Sequence, residues 1–247
     1  MDNWEAIMQK FIISKRLKFF WLLIVLTFPL LFSGCGTSNS SLPVFNVAGT
    51  WNIFTSTAGT AGVQGPNLFT FATSENDLTG QTSGGQQLTG NVTQLSISFS
   101  WTGTDGTIFT YVGNISASDG ATMLGTWTGN KGQSGTWAGV ITNPTSSVNV
   151  TGTWNTFTTD LSKAGSTEQG PFPITLTQPT NTFSGISADG QQIAGAISRF
   201  DIVFLEAVSD GSTKTFIGVV TSGGTGMSGT WTSTDKSSGS WRAAKTG

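Results

Sequence analysis

The chain has 247 residues, 33 of them glycine, with no histidine, a single cysteine and a formal net charge of −2. Without an imidazole, and with its one thiol at Cys35 beside an export signal, it lacks the usual zinc ligands, the serine and cysteine triads and most general bases; this points to a non-enzymatic protein without metal or cofactor. Beyond Gly34 only seven cations accompany eleven carboxylates, too few to neutralise a phosphate backbone, so nucleic acid is not an expected partner.

In chain order, Lys10, Lys15, Arg16 and Lys18 precede an apolar run over residues 19–32, and Ser33-Gly34 follows it. This three-part layout predicts a secretory signal over residues 1–34, helical in its apolar part. The 14 apolar residues fall short of the roughly 20 that a spanning helix needs, and Pro29 interrupts them. Asp2 and Glu5 are unusual so near a signal, and Met8 offers a more ordinary start. The stretch Leu31-Phe32-Ser33-Gly34-Cys35 resembles the bacterial lipobox, with Phe32 where leucine is usual. That resemblance implies a diacylated Cys35 as the first mature residue, tied to a membrane of the cell envelope. Gly36, where an aspartate would imply inner-membrane retention, favours the outer membrane in a cell that has two. Residues 35–45, rich in serine, are the expected lipidated tether.

From residue 46 the chain repeats itself. Asn46-Val47-Ala48-Gly49-Thr50-Trp51-Asn52 overlays Asn149-Val150-Thr151-Gly152-Thr153-Trp154-Asn155 at a shift of 103. Gly65-Pro66 matches Gly170-Pro171, and Gly85-Gln86-Gln87-Leu88 matches Gly190-Gln191-Gln192-Ile193, both at 105. Gly125-Thr126-Trp127 and Gly135-Thr136-Trp137 match Gly229-Thr230-Trp231 and Gly239-Ser240-Trp241 at 104. So small a drift places insertions in loops and indicates duplication of one unit, with copies at 46–142 and 149–247 joined by a linker at 143–148 around Pro144.

Within each copy the apolar period is two. Leu95-Ser96-Ile97-Ser98-Phe99-Ser100-Trp101 alternates throughout, and Phe200, Ile202 and Phe204 keep the same phase, the pattern of a strand with one wet face. Turn signals at Asn76-Asp77, Gly84-Gly85, Asp105-Gly106 and Asp119-Gly120, and at Asp189-Gly190, Asp210-Gly211 and Gly223-Gly224, mark tight hairpins. They delimit strands near 48–56, 67–73, 78–83, 87–93, 95–102, 107–116, 122–129 and 134–142 in the first copy. The fold class is therefore all-β: two tandem antiparallel meander barrels of about eight short strands, each closed to remove its edges. Tandem immunoglobulin-like sandwiches, the main alternative, would need long crossovers. One sixteen-stranded porin would need longer strands and aromatic girdles.

The Gly-any-Trp opening of each first strand (Gly49-Thr50-Trp51 and Gly152-Thr153-Trp154), followed by an antiparallel meander, resembles the calycin group of lipocalins and avidins. The resemblance implies a small-molecule binder, and an arginine on the last strand packed against the opening tryptophan; Arg242 is the candidate for Trp154, whereas the first copy has Ala138 there.

Candidate ligand contacts are the repeat-matched Trp51, Trp127, Trp154 and Trp231, together with Trp101, Tyr111 and Glu206. Tryptophans can stack on a sugar or an apolar ligand, but recurrence at strand positions with neighbouring glycines favours a core role. Trp101 matches Glu206, a carboxylate in phase with an apolar face, which needs a partner, a raised pKa or a wet rim. The Asp-Gly pairs lack the ligand spacing of a calcium loop and serve hairpins. The leading expectation is a lipid-anchored envelope protein that binds a small hydrophobic or sugar ligand without catalysis. The alternative is a structural or adhesive surface protein with filled, ligand-free barrels.

Overall fold

In a computed structural model, residues 45–60, 62–116, 120–142 and 147–246 are described. The signal segment, Met8, Cys35, nearly all of the tether, Asp119 and most of the linker lie outside them.

The first copy contributes β1 (Gly49–Ser56), β2 (Val63–Ser74), β3 (Asp77–Thr82), β4 (Gln87–Thr93), β5 (Ser96–Thr102), β6 (Ile108–Ile115), β7 (Thr122–Gly129) and β8 (Ser134–Ile141). The second contributes β9 (Gly152–Asp160), β10 (Gln169–Thr177), β11 (Thr182–Ser187), β12 (Gln192–Ser198), β13 (Asp201–Ala207), β14 (Thr213–Val220), β15 (Gly226–Ser233) and β16 (Ser238–Lys245). Within each copy every strand pairs antiparallel with the next. β1 then closes on β8 and β9 on β16, giving two separate eight-stranded barrels. Among the described residues there are no sandwich crossovers and no sixteen-stranded ring.

β2 begins four residues before the expected boundary. It continues past Gly65-Pro66, where the β1–β2 ladder shifts register between Ile53 and Thr55. The β9–β10 ladder shifts at the matched Gly170-Pro171, between Gln169 and Phe172. Proline has no N–H to donate, so the ladder skips it at an irregularity instead of ending. The turn expected at Asn76-Asp77 sits one residue earlier, at Glu75-Asn76 with Glu75 at φ 55°, and Asp77 opens β3. Phe200, expected on the buried face, stands instead in the turn before β13 and is 40% exposed.

Each barrel interior is filled by side chains, as expected for eight strands. In the first, Phe99 stacks on Tyr111 at 4.8 Å and Trp137 meets both edge-on at 5.6 and 5.8 Å. In the second, Phe204, Phe216 and Trp241 repeat the trio at 4.5, 5.3 and 5.7 Å. Glycines face the indoles: Gly125 pairs with Trp137 across β7 and β8, and a Cβ there would lie 2.0 Å from the Val112 carbonyl oxygen and 2.8 Å from Trp137 Nε1.

One end of each barrel is shut. Trp51 and Trp154 are fully buried there, and their indole N–H groups donate to the Val47 and Val150 carbonyls at 2.9 Å. The opposite end, where β1 leads to β2, β3 to β4, β5 to β6 and β7 to β8, is the mouth.

The two barrels dock through their outer walls. Phe54 of β1 with Ala138 and Val140 of β8 form one apolar cluster with Ala196 of β12 and Val203 and Leu205 of β13, all completely buried. The residues matching Val203 and Leu205 in the first copy are Ser98 and Ser100, so β13 is apolar on both faces where β5 is apolar on one. At the end of the linker, Ser147 donates its hydroxyl to the Ile197 carbonyl at 3.1 Å, and Val148 its N–H to the Arg199 carbonyl at 3.2 Å.

Candidate functional site

The mouth of the first barrel is a cavity of about 300 Å³ lined by Phe69, Trp101, Phe109, Tyr111 and Trp127, with Thr55, Gln64, Asn67, Thr82 and Gln86 among its polar groups. Alternation along β5, β6 and β7 puts these aromatics on the inner wall, and the cross-strand pairs Trp101–Phe109 and Tyr111–Trp127 set them side by side. Trp101 stacks on Phe109 at 4.7 Å and 25°, and Phe69 meets Trp101 edge-on at 6.2 Å. Trp127 is held from below by its N–H to the Ser56 carbonyl at 2.9 Å. The Thr82 hydroxyl donates to the Gln86 side-chain carbonyl.

Two polar groups in this mouth are perturbed. Burial pushes the Tyr111 phenol up to about 12 against the lowering influence of the Trp101 N–H. That N–H is itself buried and, among the described residues, has no acceptor in hydrogen-bond geometry, the Tyr111 phenol that it influences included. An orphaned donor in a mainly aromatic cavity is a group that a ligand acceptor would satisfy.

The second barrel has the same mouth with different chemistry. Its cavity is about 190 Å³ and includes Thr156, Phe172, Ile174, Ser187, Asp189, Gln191, Glu206, Lys214 and Phe216. Position for position, Trp101 becomes Glu206, Phe109 becomes Lys214, Tyr111 becomes Phe216 and Ile53 becomes Thr156. Glu206 and Lys214 are cross-strand partners, yet they form no ion pair. The Lys214 ammonium lies 5.4 Å over the Trp231 ring. Burial raises the Glu206 pKa, opposed by Lys214 and reinforced by Asp189.

The sequence candidates therefore separate. Trp101, Tyr111 and Trp127 converge on the first mouth, and Glu206 lies in the second with Trp231 behind Lys214. Trp51 and Trp154 sit at the shut ends, away from either cavity. The arginine implied by the calycin resemblance is not against Trp154: Arg242 follows the inward Trp241 and so points outward, 3.9 Å over Phe157 and paired to Glu168 through two hydrogen bonds of 2.8 and 2.6 Å. Lys245 covers Trp154 instead, at 5.5 Å. Thr156, Lys214, Phe69 and Phe109 escaped the sequence reading. Comparing the two copies inner position by inner position would have exposed the first two.

Three aspartates of the hairpins are held locally. Asp105 accepts from the Thr107 N–H and hydroxyl at 3.0 and 2.7 Å and from Lys131 at 3.0 Å. Asp210 and Asp235 accept the N–H of Ser212 and Ser237 at 2.8 Å. Among the described residues no three metal-ligating side chains converge.

No protein-family model and no curated protein matches the chain. Among solved structures, the Burkholderia oklahomensis agglutinin is similar at 10% identity, over 79% of this chain and 94% of its own, with a TM-score of 0.22. The Myxococcus xanthus hemagglutinin, solved in complex with α3,α6-mannopentaose, is similar at 11% identity over 79% and 99%, also with a TM-score of 0.22. Overlap this slight carries nothing to the site, whose reading rests on its own residues.

Proposed function

We propose that this chain is a non-enzymatic binding module whose first barrel holds, at its mouth, a small ligand with an apolar face and hydroxyl groups, a sugar being the type. The observation that carries this reading is the buried, unpartnered Trp101 N–H inside an aromatic cavity rimmed by threonine and glutamine. Ring faces of Trp101 and Phe109 suit the apolar side of a pyranose, and the rim supplies donors and acceptors that fix orientation. The filled interior below confines the ligand to the mouth, which also leaves a purely adhesive role as the competing reading. Titrating intrinsic tryptophan fluorescence with sugars and with lipids tests it. Saturable binding of a sugar, weakened about tenfold (about 1.4 kcal/mol) by Trp101→Ala, is expected; an emission spectrum that no sugar or lipid moves would leave the filled, adhesive barrel.

The same proposal places the protein at the bacterial cell envelope, outer membrane favoured, tethered through a diacylated Cys35. The signal layout and the lipobox-like tail support this. Fatty-acid labelling should mark the wild-type chain and not Cys35→Ser, which should leave the membrane fraction; equal labelling of both would remove the anchor.

A further inference from the structure

We propose that the mouth of the second barrel is a separate binding site for a small hydroxylated amine, its ammonium held by Glu206 and a hydroxyl held by Thr156.

Three inner positions changed together between the copies: Ile53 to Thr156, Trp101 to Glu206 and Phe109 to Lys214. Each replaces an apolar or aromatic side chain by a polar one in the wall of one cavity. A stabilising role would pair these groups with one another or with the backbone, because an unpaired buried polar group costs stability. They are not so paired. The Thr156 hydroxyl is 95% buried with its residue and has no hydrogen-bond partner among the described residues. Glu206 joins no hydrogen bond and no ion pair among the described residues, although Lys214 faces it across the ladder. Two inward polar groups without partners, 50 residues apart in sequence and lining one cavity, mark the outline of a missing polar ligand.

Charge selects its class. Lys214 is shared electrostatically among Glu206, Asp210 and Asp235, and Asp189 stands close enough to Glu206 to act on it. Carboxylates therefore outnumber the one ammonium facing the cavity, which favours a cation over an anion. At about 190 Å³ the space equals roughly six waters at about 30 Å³ each, enough for an amino alcohol or a single amino sugar. Gln191 and Ser187 add hydroxyl-compatible partners at the rim.

Calorimetric titration of the full chain with ethanolamine and 3-amino-1-propanol, beside the neutral diols ethylene glycol and 1,3-propanediol, tests the site, since none of these carries the sugar ring proposed for the first mouth. At least one amine should bind, and its diol at least tenfold more weakly, because the diols lack the charge. Glu206→Gln and Thr156→Val, both near-isosteric, should each weaken the amine, the first by tenfold or more, while Trp101→Ala leaves it unchanged. Thr156→Val should melt no lower than wild type, which separates lost binding from lost folding. Binding of neither amine, equal binding of the neutral diols, or an unaffected Glu206→Gln variant would overturn the proposal. Since Trp101 belongs to the other mouth, its variant distinguishes failure here from failure of the first site.

Discussion

Glu206 and the hairpin carboxylates titrate in opposite senses. Asp105 is held well below the usual carboxylate range by the Thr107 hydroxyl and N–H, with Lys131 adding. Asp160, Asp210 and Asp235 are lowered chiefly by the serine hydroxyl two residues on, and Glu168 by Arg242. A lowered folded pKa contributes stability that is present above the unfolded value and lost as pH falls through the folded one. Glu206 behaves conversely: burial raises its folded pKa, so its penalty is absent at acid pH and develops as pH rises from the ordinary glutamate range through the raised value. The melting temperature of the wild type relative to Glu206→Gln should therefore fall as pH increases over that interval. A difference independent of pH would mean that Glu206 is solvated. The lowered groups are solvent-exposed, Asp160 only partly, and their contribution is small and screened by salt.

At the scale of elements, β5 and β13 are the same strand with different outer faces. Ile97 and Phe99 match Ile202 and Phe204 inside, whereas Ser98 and Ser100 become Val203 and Leu205 outside. The wall receiving them changed as well: Ala138 of β8 and Phe54 of β1 match Arg242 and Phe157, and only the former pair is covered by a neighbouring barrel. This explains why the first copy has alanine where the second has arginine. Leu205 is completely buried between the barrels, so Leu205→Ala should cost about 2–5 kcal/mol, read from denaturant unfolding. A loss under about 0.5 kcal/mol, the range of an ordinary surface change, would show that the docked walls contribute little. Of the first copy's strands, nearly all boundaries were legible within one or two residues. β2 was not, because a proline pair reads as a break while the backbone carries the ladder around it.

In the whole molecule, duplication produced two like barrels that meet through unlike faces. Such a head-to-tail contact would propagate if each barrel offered both faces. At the positions matching the docked residues, the uncovered walls are polar: Ser98 and Ser100 stand on the first barrel, and the Arg242–Glu168 pair lies over Phe157 on the second. The mouths diverged by the same route, through substitutions at matched inner positions while the Phe-aromatic-Trp trio beneath kept its geometry. Duplication thus freed one copy's mouth to change chemistry on a preserved core.

The amino-acid order by itself determined the repeat, the strands, the meander and its closure, because a period of two reports which side of a strand meets water and a turn signal reports where the chain reverses. Only the tertiary structure decided which tryptophans shut a barrel and which line its mouth, where Arg242 points, and which outer walls meet. Alternation says inward or outward. It carries no coordinate along the barrel axis and does not distinguish a wall wetted by solvent from one covered by another barrel, and those are set by contacts between residues about one hundred positions apart.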